Sequence, residues 1–425
     1  MNRIILIGNG FDLAHGMKTS YANFLNDYWE RAITEIQKRH HQHSFENDEF
    51  SISRSPVGLV TIKTYEELEK IVKNFGSKIE FKNKFLKTIT EKNYIDSWVD
   101  VENEYYSLLK KAYKTQNKTP THYKITELNL DFAKVKKLLS DYLKRIEADF
   151  IKNMGLPTLR IKNFIGNKIY RPFNLQDFSE QSLNQKAQQE YNYLKTDIEG
   201  LRKEDGGILM NELSEDKIKI ISKIGIKEPL KEIKRLLQSS NAINYFDLVP
   251  DQTLFLNFNY TFTDSLYGRP QDFNQFNDKK YTQAEIVHIH GSNEKKDKNP
   301  IIFGFGDELD EDYKAIERLD DNRYLENIKS INYLETDNYK KLLEFANIGN
   351  FQIFILGHSC GISDRTLLNT LFEHENCASI KPFYHQRKEN NDNYSDIVRN
   401  ISRNFNDKAK MRDRVVNKTY CEPLC

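Results

Sequence analysis

No apolar run in this chain approaches the ~18 residues that a membrane-spanning helix needs. The one at the start, "IILI" at 4–7, is cut off at once by Gly8, so neither a spanning helix nor a signal peptide is expected. Cysteine is scarce, and Cys360, Cys377, Cys421 and Cys425 show neither CxxC spacing nor a dense framework. That pattern excludes a disulfide scaffold and fits reduced thiols in a cytoplasmic protein. Neither sign of charge is in surplus. A formal net charge of +1 gives the molecule no field that seeks polyanions, so any basic site must be local. Internal repeats, low-complexity tracts and Pro/Gly-rich linkers are missing too. Aromatic side chains are plentiful, at 12% of residues, and supply core material that offsets a charged fraction of 29%. The 425 residues allow two or three domains, or one domain with a large insertion.

Composition shifts along the chain. From about 60 to 245 it is rich in Lys, Glu, Asn and Gln with helical periodicity. "TYEELEKIVKNFG" offers Thr64 and Glu67 as a capping box and Gly76 as a stop. "DFAKVKKLLSDYLKRIEADF" places Phe132, Val135, Leu139, Tyr142, Ile146 and Phe150 on one stripe. "LKEIKRLLQSS" gives a further short helix, while 155–210 yields no assignment. After 250, "TLFLNF", "EIVHI", "PIIF" and "FQIFIL" read as parallel strands buried on both faces. The expected fold is α/β, with a Rossmann-like, largely parallel sheet. Its core comprises 1–60 and 245–425, and 61–244 forms a helical insertion or second domain.

Each strand-like run ends in small residues and a hydrogen-bonding side chain. "IILI" leads to Gly8, Asn9, Gly10 and Asp12, "TLFLNF" to Asn259 and Thr261, and "EIVHI" to His290, Gly291 and Ser292. "PIIF" leads to Gly304, Gly306 and Asp307, and "FQIFIL" to Gly357, His358, Ser359 and Cys360. In an open parallel sheet these ends share one edge, where ligands bind, so a nucleotide-sized pocket is expected there. Plainer roles stay open. The glycines suit tight turns, Asp12 a helix cap, and Asn259 a local backbone bond. His288 and His290 could be a structural pair or an HxH metal site, although no acidic or cysteine partner set is evident. A dinucleotide fingerprint would need glycine where Leu13 stands, and Asp12 would repel a pyrophosphate. Its carboxylate suits a ribose hydroxyl or a cationic group.

Three further segments carry chemistry. "GHSCG" at 357–361 matches G-x-S-x-G and would make Ser359 an esterase-like nucleophile, with only His374 and His385 left downstream to complete a triad. "WVDVENEYYSLLKK" puts Trp98, Val101, Tyr105 and Leu108 on one helical face, and Asp100 and Glu104 one turn apart on another. Those acids could reach the pocket or a cation, or form a solvated face. The basic stretch "VRNISRNFNDKAKMRDRVVNK" would suit an RNA-targeting toxin, or simply a solvated helix.

"ILIGNGFDLAHGMKTSYANFL", "WVDVENEY", "LNFNYT", "HIHGS", "IIFGFGDE" and "ILGHSCGISDRTLLNTLF" together resemble the bacteriophage abortive-infection proteins of the AbiH family. The resemblance implies an antiphage effector answering a phage-derived trigger, shades Asp100 and Glu102 toward the site, and leaves a homo-oligomer open. More distantly, the order of a glycine turn, Asn259, His290-Gly291 and Gly357-His358-Ser359 is similar to that of sirtuin-like NAD-cleaving domains. Two positions depart: Thr261 stands where many such domains have an acid, and the first turn lacks their Ala-Gly-Ile-Ser. This likeness implies NAD as ligand or substrate, with hydrolysis of its N-glycosidic bond. His290 would act as base, Asn259 would orient water or a ribose hydroxyl, and Asp12 would anchor a hydroxyl or steady positive charge on the sugar. Gly8, Asn9, Gly10, Thr261, Gly291, Ser292, Gly357, His358, Ser359 and Asp364 would surround the cofactor. A nucleotide sensor without catalysis is the other reading.

Overall fold

The structure, a computed structural model, describes residues 1–39, 42, 44–54, 62–92, 97–115, 123–200, 215–223, 228–273, 283–293, 299–388 and 391–425. Strand β1 (Asn2–Ile7) is followed by the short α1 (Asn9–Ala14) and the long α2 (Tyr21–Lys38). A small antiparallel sheet of β2 (Phe45–Glu46), β3 (Phe50–Ile52) and β4 (Ile79–Phe81) encloses α3 (Tyr65–Asn74) in the chain. Next come α4 (Lys84–Glu91), α5 (Trp98–Lys114), α6 (Ile125–Lys152), α7 (Leu156–Ile169), α8 (Glu180–Gly200), α9 (Glu215–Lys223) and α10 (Pro229–Leu237). Strands β5 (Gln252–Asn257) and β6 (Gln283–His288) lead to α11 (Glu311–Glu317), α12 (Lys329–Asn332) and α13 (Asn338–Ile348). The chain closes with β7 (Phe351–Leu356), α14 (Arg365–Phe372), β8 (Cys377–Phe383), a hairpin of β9 (Gln386–Lys388) and β10 (Asn391–Asp392), α15 (Tyr394–Asn404) and α16 (Lys408–Arg414).

The main sheet runs β6-β5-β1-β7-β8, every pair parallel. Apolar residues alternate between two covered faces, which is why these strands read as unbroken apolar runs. Ile4, Leu6, Leu254, Leu256, Ile353 and Ile355 pack under α13, α14 and α15. Ile5, Ile7, Phe255 and Phe354 meet Ile165, Ile169 and Tyr170 at the end of α7. Each such side chain contributes about 1.5–3 kcal/mol by leaving water. Arg3 fastens α7 to the sheet. Its guanidinium lies 4.6 and 4.3 Å from the Phe173 and Phe354 rings and donates at 2.7 Å to the carbonyls of Ile169 and Arg171. A helix C-terminus with bare carbonyls is thereby satisfied.

The segment 155–210, which the periodicity left unassigned, thus supplies a helix that covers one sheet face, and its portion 201–210 lies outside the described residues. The Thr64–Glu67 capping box forms, and Gly76 takes φ +67 just beyond α3. Phe132, Val135, Leu139 and Tyr142 are buried on α6, in a cluster with α4, α5 and the loop residues Phe303 and Phe305. This helical layer therefore stands against the carboxyl edge of the sheet.

Two expectations about strands need correction. "PIIF" is not a strand: 300–303 is an irregular segment, tied by the Ile302 N–H to the His290 carbonyl at 2.8 Å, that buries Ile302 and Phe303 as plugs. The fifth strand is β8, "CASIKPF", which Lys381 and Pro382 disguise. It forms an edge, where proline is tolerated, and Lys381 is neutralised there by Asp177 at 2.8 Å. Residues 45–52 form two strands of the small antiparallel sheet, and the expected boundary at 60 and 61 lies outside the described residues. Among the described residues no helix is long and apolar enough to cross a membrane.

Candidate functional site

Counted along the chain, the five main strands lie in the order 3-2-1-4-5, so the direction of winding reverses between β1 and β7. A cleft of about 520 Å³ opens at the carboxyl edge there. Gly8, Asn9, Gly10 and Asp12 from the first turn line it, as do Asn259 and Thr261 after β5 and His290 after β6. Gly357, His358, Ser359 and Asp364 after β7 complete the set from the sheet. The helical layer faces them with Trp98, Glu102, Leu139 and Leu143. Gly291 and Ser292 are not among the lining residues. Gly291, at φ +82, packs against the Pro300 carbonyl, and the Ser292 N–H donates to Asn299.

The glycines of the first turn face another loop. A Cβ on Gly8 would lie 2.5 Å from His358 Cα, and one on Gly10 would lie 2.9 Å from Gly357 Cα. Their N–H groups donate to the carbonyls of Leu356 and Gly357, at 3.2 and 2.9 Å. Two backbones therefore cross without side chains between them, and these amides are engaged within the protein. Asp12 is equally committed: Thr261 donates to one carboxylate oxygen at 2.6 Å and Thr263 to the other. Burial pushes its pKa up to about 6, against these two hydrogen bonds. Asn259 donates its amide to the Gly8 carbonyl at 3.0 Å, and Asn9 accepts from Thr19 at 2.7 Å.

At the floor lies a buried charge cluster. Asp364 ends a 3-10 turn, Ile362–Asp364, that follows β7. Lys329, the first residue of α12, sends its ammonium 2.7 Å from both Asp364 Oδ1 and Glu102 Oε1. His290 Nε2 is 3.2 Å from Asp364 Oδ1 and also 3.2 Å from the Tyr333 hydroxyl. His358 Nε2 faces Asp364 Oδ2 at 3.6 Å, while its Nδ1 accepts the Cys360 N–H at 3.0 Å. Gly306, whose Cβ position is 2.8 Å from the Ser363 carbonyl and 3.1 Å from Lys329 Cβ, lets these parts close up.

Burial opposes every charge in this cluster, and partners decide which survive. Lys329, between two carboxylates, is held above the ordinary lysine value despite burial. Asp364 is held well below the carboxylate range because Lys329 and His290 outweigh its desolvation. Glu102 shares only the lysine, and burial lifts it to about 7, with the nearby Asp364 charge acting in the same direction. Burial first, then the Lys329 charge, lowers His290 to about 4, so its ring is neutral at pH 7. An ionised Asp364 beside Nε2 holds the proton on that nitrogen and leaves Nδ1 as the basic atom. The cluster is thus a neutral histidine oriented by a buried carboxylate.

Other candidates separate. His288 lies 3.2 Å from Asp264, so the two histidines of the HxH pattern have different carboxylate partners. Asp100 closes a capping box with Ser97, and Glu104 meets Lys92 at 2.5 Å, so these acids do not share a site. Ser359 is exposed, and among the described residues no histidine is hydrogen-bonded to its hydroxyl. His374 packs 5.6 Å from Phe351, the first residue of β7, which puts it about 20 Å from a serine beyond the strand's other end. Positive φ falls on Cys360 and Gly357 rather than on Ser359, so "GHSCG" is no nucleophile elbow. A serine-directed fluorophosphonate is expected to leave Ser359 unlabelled in intact-mass measurement; a stoichiometric adduct would restore the esterase reading. In the basic stretch, Arg414 donates to the carbonyls of Phe372 and His374, and Lys408 to those of Ser402 and Phe405.

Lys329 and Tyr333 were not legible as site residues. Glu102 carries a local signal: it falls one helical turn after Trp98 and next to Val101, so it had to be buried and paired. A search of curated proteins and a search of solved structures each found no match. A model of the bacteriophage abortive infection family AbiH matches residues 4–386, a span holding β1 from Ile4 onward, the other four strands of the main sheet and every member of the charge cluster. The chain therefore belongs to the AbiH family, and its role lies in abortive infection by bacteriophage.

Proposed function

We propose that the cleft binds NAD or a closely related nucleotide and hydrolyses its N-glycosidic bond during abortive infection. The observation that carries this reading is the neutral His290, oriented by Asp364, at the floor of a cleft where the sheet reverses its winding. Doubly wound sheets of this strand order bind dinucleotides at that point, and the cleft volume lies within the range of small-ligand pockets. Trp98, Phe258 and Tyr260 offer aromatic surface for a base opposite the polar strand ends. The order of strand-end residues, similar to that of sirtuin-like domains, supports the same substrate.

In this reaction water attacks the ribose C1′ and His290 takes its proton. The electrons of the breaking C–N bond pass to the pyridinium, and nicotinamide leaves neutral. The transition state is oxocarbenium-like, and a carboxylate beside the sugar would steady the positive charge that develops there. Because the leaving group starts as a cation, no strong general acid is required.

Purified protein, with and without lysate of phage-infected cells, is to be incubated with NAD and assayed for nicotinamide. The wild type is expected to release it, and His290→Ala to be slower by about 10²–10⁴-fold. A base with a pKa of about 4 is deprotonated throughout the neutral range. The acid limb of the rate profile is therefore expected near pH 4 rather than near ~6.5, the unperturbed histidine value. Tight binding of NAD without product would identify a sensor, and equal turnover by His290→Ala would remove the base.

A further inference from the structure

We infer that Arg387, at the rim of the cleft, is the anion subsite that seats the phosphates of the ligand; this deepens the nucleotide reading and rests on it. The usual phosphate seat in such a sheet is the turn after the first strand. Here that seat is closed. The N–H groups of Gly8 and Gly10 are bonded to Leu356 and Gly357, helix α1 has only six residues, and Asp12 sits within it. The floor offers no alternative, since Glu102 and Asp364 hold Lys329 between them.

Among the described residues two cations line the cleft, Lys329 and Arg387. Arg387 stands on β9 in the hairpin after β8, is exposed, and forms no ion pair or hydrogen bond with any described residue. Ser359 and Asn393 line the same cleft. The Asn393 side-chain oxygen is taken by the His385 N–H at 2.6 Å, which leaves its amide hydrogens as donors. An arginine fork matches phosphate oxygens in two parallel hydrogen bonds. The cleft is thus polarised, with carboxylates at the floor and a guanidinium at the mouth. A diphosphate bound at the mouth would leave a sugar and its base to reach inward, toward His290 and the aromatic wall. The inferred ligand class is a nucleoside diphosphate ester.

Binding of ADP-ribose, which carries two phosphates, and of adenosine, which carries none, is to be measured by calorimetry at low and high salt. For Arg387→Ala the ADP-ribose Kd is expected to rise about 10–100-fold, as for loss of a charge-assisted pair. Its adenosine Kd and its melting temperature should stay at wild-type values, and Arg387→Lys should recover part of the loss. The wild-type ADP-ribose affinity should weaken with salt, as expected of an exposed charge. If wild-type protein binds ADP-ribose and Arg387→Ala binds it equally well, the subsite is overturned while the nucleotide reading stands. If the wild type binds neither compound, both fall.

Discussion

Lys329→Met is expected to lose about 3–5 kcal/mol of stability, the cost of leaving a buried charge without its counter-ion. The side chain is 1% exposed and touches two carboxylates at 2.7 Å. Glu102 and Asp364 are left facing each other without a counter-charge. The deficit has a sign in pH. A carboxylate whose folded pKa is raised binds a proton more readily folded than unfolded, so stability falls as pH rises from its unfolded to its folded value. Of these two carboxylates only Glu102 behaves so in the wild type, with a folded value of about 7, while Asp364, held low, behaves oppositely. Without the ammonium both carboxylates are raised. The Lys329→Met deficit, read from urea midpoints, is therefore expected to be larger at pH 8 than at pH 5. Adding Glu102→Gln should recover part of it, since one of the two charges is gone. A deficit that is flat in pH, or equal in the double variant, would show that the ammonium does not organise this floor. His290 supplies a second readout. Its low pKa owes most to burial and next to Lys329, so the variant should move the acid limb of turnover upward.

Gly357→Ala should be at least as damaging, for a reason of shape alone. The residue has φ +72, a region that costs an L-residue about 1–2 kcal/mol. Its Cβ would also lie 2.1 Å from the Phe11 nitrogen and 2.4 Å from the Gly10 carbonyl carbon. Both are backbone atoms and cannot rotate away. Gly16 provides the control: it has φ +81 but nothing within 4 Å of a Cβ. Gly16→Ala should lose only the conformational penalty, about 1–2 kcal/mol. Gly357→Ala should exceed it clearly and should also abolish ligand binding, because the first turn and the turn after β7 can no longer cross. Equal losses at the two positions would mean that the crossing has slack.

These two residues also mark what the amino-acid order reveals. The central strands were legible because burial on both faces leaves an uninterrupted apolar run. By the same logic 300–303 looked like a strand, since a loop that plugs a core needs the same residues. β8 was hidden by Lys381 and Pro382, because an edge position and a buried Asp177 are tertiary facts. The strand-end grammar located the cleft residues that follow β1, β5, β6 and β7, though not Gly291 and Ser292, as all ends of a parallel sheet share one edge. It did not show which backbone a glycine must approach, and Gly8 and Gly10 approach Gly357 rather than open space. Nor could it pick out Lys329 among many lysines, because its partners come from α5 and from the turn after β7. The GxSxG match failed on local geometry: a regular expression counts residues, whereas a nucleophile elbow needs its strained φ on the serine itself and a histidine bonded to the hydroxyl.

The position of β1 bears on when the cleft comes into being. This first strand lies mid-sheet, with Arg3 beside Thr253 and Asn2 beside Phe351. On the ribosome, at about 5–20 residues per second, its second neighbour emerges roughly 20–70 s after it does. Pairings so distant in the chain are slow to form. A polypeptide released before residue 351 has no Gly357, no Asp364 and no wall on that side of the first turn. Whatever chemistry the cleft performs is withheld from translation products that stop before β7, so the cell meets it only in copies that carry that strand.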